Sequence, residues 1–186
     1  MPTGAAAHGG ALWVSTQSYG DASRNITVLT CGTDLPVRCA RSTAASGPTS
    51  GPGGDLGRFH HAALGTDSLP RFCYADSPAV KIARCTDASC AEFATEVIDA
   101  DQPSGKSWSD ATKCSLADGA TVAALSRASG GPLSVVVYSP ATKAWSRELT
   151  LADYPKTDHP SAALDPNDKG LLAVSFVAVT PNHTNE

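Results

Sequence analysis

Charge is scarce in this chain: 17% of its 186 residues are Asp, Glu, Lys or Arg, and they sum to −4 at pH 7. That leaves no basic field to attract nucleic acid, whose binding rests on clustered Lys and Arg. Long apolar runs are missing too. The β-branched stretches Ile26 to Leu29, Val135 to Val137 and Leu171 to Val179 stop well short of the roughly 18 apolar residues a helical membrane span needs. Residues 1–10 have neither the basic start nor the apolar core of a secretory leader, so the chain reads as a piece of a longer precursor. There is no G-x-S-x-G elbow and no glycine loop of the kind that cradles phosphate, and no cofactor is expected.

What the chain does contain is turn chemistry and cysteine. Gly occurs 16 times, Pro 13 times and Met once, which suits short strands with many turns better than helices. The reading is all-β. Six cysteines in a chain of this size favour an oxidising compartment, and the sequons at Asn25 and Asn182 lean the same way. The segment Val80 to Cys90 reads as a strand, a short turn and a second strand whose ends a Cys85–Cys90 disulfide would join. Cys31 and Cys39 form an earlier copy with a longer turn. A later copy, Val135 to Trp145, carries Ser139 and Ala144 where the cysteines would be, so both thiols vanish together.

Self-similarity sets the architecture. The phrases His61-Ala62-Ala63-Leu64, Lys113-Cys114-Ser115-Leu116 and Ser161-Ala162-Ala163-Leu164 each precede a turn and an apolar strand. Their leucines recur at about 50 residues, near the length of a four-stranded propeller blade. The expected organisation is an N-terminal extension (1–10), a partial blade one (11–57) containing a Gly/Ser/Pro-rich loop at 41–57, blade two (58–107), blade three (108–157) and a partial blade four (158–186). Thirteen strands result: three in blade one, four each in blades two and three, two in blade four. A closed ring of even four blades needs about 16. The expectation is therefore a β-propeller-like array of about three and a half antiparallel blades, an arc cut from a larger ring. Its open faces call for self-association, another subunit or further blades of the precursor.

Residues 62–90, AALGTDSLPRFCYADSPAVKIARCTDASC, resemble the repeats of secreted multi-repeat proteins of bacteria and protists. Those repeats carry an "ArCtDasC" hairpin in each blade. The resemblance is good for blade two, recognisable for blade three and partial at both ends. It implies a propeller-type fold and an extracellular place, and it brings no catalytic residues.

Candidate sites are few. Cys73 and Cys114 fall at core positions, Cys73 opposite Leu125 and Cys114 opposite Ala62 and Ala162 in the repeat alignment; two buried thiols and a staple between blades both fit. Zinc is disfavoured because no second ligand pair stands near C-x4-C. His60 and His61 point to opposite strand faces and cannot chelate one metal as neighbours, so one is expected packed and one solvated. Asp165 to Gly170 resembles a calcium loop only superficially, with Lys169 and Phe176 at ligand positions. Arg58, Arg71, Arg84, Arg127 and Arg147 are dispersed, and Glu92 and Glu96 lie on an outer strand. No catalytic residue is assigned. Trp108, after Ser104 to Ser107, is the candidate ligand-binding aromatic, whereas Trp13 and Trp145 read as buried between sheets. The loops 19–24, 46–57, 101–108 and 153–160 can vary without disturbing the blades. The expected role is a non-catalytic extracellular module that meets a glycan or protein partner. A structural subunit of a fibre, sheath or surface layer, and a fragment of a propeller glycoside hydrolase, are the alternatives.

Overall fold

The computed structural model of the chain describes residues 3–19, 23–32, 36, 38–48, 60–76, 79–99, 113–117, 119–126, 133–151, 157–164 and 172–178. These residues form fourteen strands in four sheets. Blade one holds β1 (Thr3–His8), β2 (Ala11–Tyr19), β3 (Ser23–Gly32) and β4 (Cys39–Pro48). Blade two holds β5 (His61–Leu64), β6 (Pro70–Asp76), β7 (Ala79–Cys85) and β8 (Phe93–Asp99). Blade three holds β9 (Lys113–Ala117), β10 (Val122–Ser126), β11 (Leu133–Ser139) and β12 (Ala144–Leu151). In blade four β13 (Thr157–Leu164) pairs with β14 (Leu172–Ala178). All pairings are antiparallel, and the strands lie side by side in chain order.

The first strands of the sheets are neighbours in turn: β1 beside β5, β5 beside β9, β9 beside β13. They form the inner rim of the arc, and the fold is a β-propeller-like array. Side chains alternate across each sheet, so each blade offers one face to the blade before it and one to the blade after. Trp13, Ile26 and Val28 of blade one pack on Ala62, Phe72 and Ala83 of blade two. Cys73, Val80 and Ile82 of blade two pack on Leu116, Ala123 and Val136 of blade three. Ala117, Val122 and Val135 of blade three meet Ala162 and Val174 of blade four. The core is thus three seams between sheets. Aromatic packing adds to the first of them, where the Phe72 and Phe93 rings meet edge-on at 6.3 Å.

Four expectations need correction. Residues 1–10 are not an extension, because Thr3–His8 is the inner strand of a complete blade one, in register from Thr3↔Thr16 to His8↔Ala11. Its small residues lack an apolar pattern, but the crowded inner rim needs small residues, as His61-Ala62-Ala63-Leu64 shows one blade later. The signal was present: Gly9 and Gly10 both have positive φ (57° and 79°), the two-residue hairpin turn that a glycine pair favours. Second, residues 41–48 of the loop expected at 41–57 are strand, since β4 runs through Pro48, and the rest of that loop lies outside the described residues. An outermost strand tolerates the polar composition of Arg41 to Ser46, half its surface being in water.

The third correction concerns the repeat register. Ala62 pairs with Phe72 and Leu116 with Ala123, and both pairs face the preceding blade. The Leu116 and Ala162 amides meet the preceding inner strand as the Ala62 nitrogen meets Gly4, so Leu116, not Cys114, stands at the level of Ala62 and Ala162. Cys73 faces the following blade and Leu125 the preceding one, so these two are not equivalent. Shorter turn residues in blade three had shifted the sequence alignment. The fourth follows from it. At the outer hairpin mouth the equivalent cross-strand pairs are Cys31↔Cys39, Cys85↔Phe93 and Tyr138↔Trp145. An aromatic pair with ring centroids 5.6 Å apart, not Ser139 and Ala144, takes the place of the cysteines in blade three.

Gly4 marks how closely blades one and two approach. A Cβ there would lie 2.8 Å from both the Cβ and the backbone nitrogen of Ala62, and 2.9 Å from Ser15 Oγ. Two of these atoms are fixed to a neighbouring strand, so Gly4→Ala must push blades apart. We expect it to cost about 1–3 kcal/mol by overpacking, read as a lower urea midpoint at unchanged m-value.

Candidate functional site at the inner rim

In propeller-type arrays the inner strands converge, and polar groups there are the first to examine for chemistry. An inner strand is also a sheet edge, with backbone N–H groups that its own sheet does not use. Here side chains of the preceding inner strand meet them. His61 Nδ1 on β5 accepts a hydrogen bond from the Leu116 N–H on β9 at 3.2 Å. Ser115 Oγ on β9 accepts one from the Ala162 N–H on β13 at 3.2 Å. The corrected register makes His61 and Ser115 equivalent, and Leu116 and Ala162 likewise. Gly4 is the third member of the set, lying against the Ala62 nitrogen with no side chain to interpose. Ser15 Oγ donates to the Gly4 carbonyl at 3.2 Å.

Two further polar residues are buried at this rim, His60 at 5% exposure and Lys113 at 7%. Both interact with other residues of the fold. His61 is half-buried, so neither histidine of the pair is solvated as expected; flanking blades cover both faces of β5. Burial lowers the His61 pKa, with His60 adding to the effect. Among the described residues no group of three His, Cys, Asp or Glu is placed to hold a metal ion. Ser115 meets an amide and not a base, so no activated nucleophile is assembled there.

The six cysteines form three links: Cys31–Cys39, Cys85–Cys90 and Cys73–Cys114. The first two close hairpins. The third joins β6 of blade two to β9 of blade three, its Cα atoms 6.3 Å apart, and settles the pair left open as an inter-blade staple. The Cys85–Cys90 turn also serves the seam: Trp13 Nε1 donates to the Ala88 carbonyl at 3.1 Å, and Thr30 Oγ1 to the Ser89 carbonyl at 3.0 Å. Within that turn Asp87 accepts from the Ser89 backbone and hydroxyl, and these bonds lower its pKa.

Polar pairs on the outer strands are likewise structural. Trp145 Nε1 donates to Glu96 Oε2 at 3.4 Å, and Arg147 pairs with the buried Asp99, both across the seam of blades two and three. Glu92 lies in the turn before β8 and does not share a strand with Glu96. Arg71 pairs with Asp67 within its own hairpin region, and Lys81 with Asp76. Burial pushes the Tyr74 phenol up to about 12, a hydrogen bond with Thr95 opposing and the Asp76 charge assisting. Trp13 is buried and Trp145 half-buried between blades. Asn25 is half-buried on β3. Trp108, Asn182, Arg58, Arg127 and the Asp165 to Gly170 turn lie outside the described residues. Sequence reasoning missed Lys113 and Asp99 as buried charges, since a charged residue at a strand end gives no sign of what covers it.

No protein-family model matches the chain, and no curated protein matches it. Among solved structures it is similar to the α-L-arabinanase of Penicillium chrysogenum in complex with arabinobiose, at 14% identity and a TM-score of 0.56. The likeness covers 89% of this chain and 53% of the other, so the chain spans about half the length of that structure. At this identity the likeness is one of fold. What the chain shares with the arabinanase is the propeller-like arrangement of antiparallel four-stranded sheets.

Proposed function

We propose that the chain is a non-catalytic, propeller-type binding or assembly module of an extracellular multi-repeat protein, meeting a glycan or protein partner through its blade loops. The observation that carries this reading is the make-up of the inner rim. Glycoside hydrolysis needs a pair of carboxylates flanking the scissile bond, and the four inner strands contribute one, Asp158 on β13. Two of the rim's polar side chains, His61 and Ser115, bond blade to blade instead. Three disulfides that use all six cysteines support the extracellular placement. Assembly is supported by the outer faces: Leu12, Val14 and Leu29 are only half-buried on blade one, and Leu149 is 47% exposed on blade three.

A second reading, part of a propeller glycoside hydrolase, draws on the likeness to the arabinanase. One experiment separates them. The chain, purified without reductant, is sized by native mass and incubated with arabinan oligosaccharides. A discrete species that releases no reducing sugar is the expected result. Sugar release that Asp158→Asn abolishes would replace the module with a hydrolase. A large polymer would instead favour a structural subunit of a fibre, sheath or surface layer.

A further inference from the structure

The inner rim carries two equivalent fastenings that differ in chemistry. Seam two is fastened by an imidazole accepting from the Leu116 N–H, seam three by a hydroxyl accepting from the Ala162 N–H, each at 3.2 Å. We infer that the seam between blades two and three is a pH-sensitive joint set by His61, whereas the Ser115–Ala162 bond that fastens blades three and four has no titrating group of its own. Neutral Nδ1 accepts from an N–H; once protonated it becomes a donor and opposes that N–H. A serine hydroxyl has no such transition near neutrality.

Among the described residues of the strands packed on β5, none supplies a carboxylate to hold an imidazolium at His61. β5 packs against β1, β6 and β9. The titratable or charged groups on these elements are His60 beside it, His8 at the far end of β1, Arg71, Tyr74 and Asp76 on β6, and Lys113 on β9. Asp76 is the one carboxylate among them. It pairs with Lys81, and its strand parity puts it with Phe72 and Tyr74 on the face towards blade one. His61 is on the other face, opposite Cys73. Burial and the neighbouring His60 keep its pKa below the ordinary 6.5.

The sign follows. The folded chain keeps His61 neutral to lower pH than the unfolded chain does. The contribution is therefore complete above 6.5 and is lost as pH falls through the lowered folded-state value. A single proton can change the opening equilibrium by up to about tenfold per pH unit in that window.

The test is amide hydrogen exchange on the whole chain between about pH 5.5 and about pH 7.5, with histidine ring titration alongside. Protection at Leu116 is expected to fall on acidification while protection at Ala162 holds. The His61 ring should titrate below 6.5. His61→Gln, which keeps an acceptor without a titration, should remove the dependence, and His60→Gln should keep it. Parallel loss at Leu116 and Ala162, a His61 midpoint at or above the ordinary value, or a His61→Gln chain with unchanged dependence would each overturn the inference. Where His61→Gln fails to fold, the comparison of the two amides within the wild-type chain decides.

Discussion

Replacing Cys73 and Cys114 together with alanine is expected to lower the stability of the chain by about 4 kcal/mol, the largest loss for any of its disulfides. A cross-link restricts the unfolded chain more as the loop it closes lengthens. Cys73 and Cys114 are 41 residues apart, against 8 for Cys31–Cys39 and 5 for Cys85–Cys90. The same relation gives about 2–3 kcal/mol for each of the short loops. Position adds to length: both members of the staple are buried, at 0% and 6% exposure, in the seam of blades two and three. Urea unfolding without reductant measures the effect. A double alanine chain that loses no more than the Cys31→Ala, Cys39→Ala chain would show that the staple does not constrain the array.

Trp13→Ala is expected to cost about 3–5 kcal/mol, as truncation of a fully packed aromatic does. The indole is 2% exposed, lies in the first seam, and hands its N–H to the Ala88 carbonyl in the Cys85–Cys90 turn. Trp13→Phe divides the loss, keeping most of the apolar bulk and removing the donor; about 1 kcal/mol of the total belongs to that bond. Leu149→Ala is the control, since a leucine with 47% exposure should change stability by no more than about 0.5 kcal/mol. Thermal and urea unfolding of the three variants read this directly. A Trp13→Ala chain as stable as the Leu149→Ala chain would mean that the blades are not joined through the tryptophan.

Local pattern made much of the fold legible. Hairpins such as β6–β7 and β11–β12 alternate or run apolar over seven or eight residues between turn signals, and those strands fall where the pattern puts them. Blade four's second strand follows the same rule, but β13 begins at Thr157, inside the loop expected at 153–160, because Thr157 and Asp158 pair with Ala178 and Val177 without an apolar pattern to mark them. The inner strand β1 was not legible by hydrophobicity, because Gly4-Ala5-Ala6-Ala7 is chosen for clearance against a neighbouring strand and not for burial of bulk. The register of blade three was misread because the turn after β9 differs in length from the turn after β5, and spacing alone cannot say which residue faces which seam. The rim fastenings were less legible still. His61 and Ser115 share a role only when the strands are superposed in space, and nothing in the phrases HAAL and KCSLA marks them as acceptors. Buried Lys113 and Asp99 belong to the same class: their covering comes from residues far away in sequence.

Within each blade the strands lie in the order in which they are made, β1-β2-β3-β4 and so on, so every ladder is a hairpin between consecutive segments. Such pairings close short loops and form quickly. A ribosome releasing this chain from its N-terminus would therefore let blade one finish its hydrogen bonding before blade three has emerged. What must wait is only the docking of one finished sheet on the next, and the Cys73–Cys114 bond cannot form until that docking brings β6 and β9 together. Oxidation of that pair is a late record that two blades, each already folded, have met.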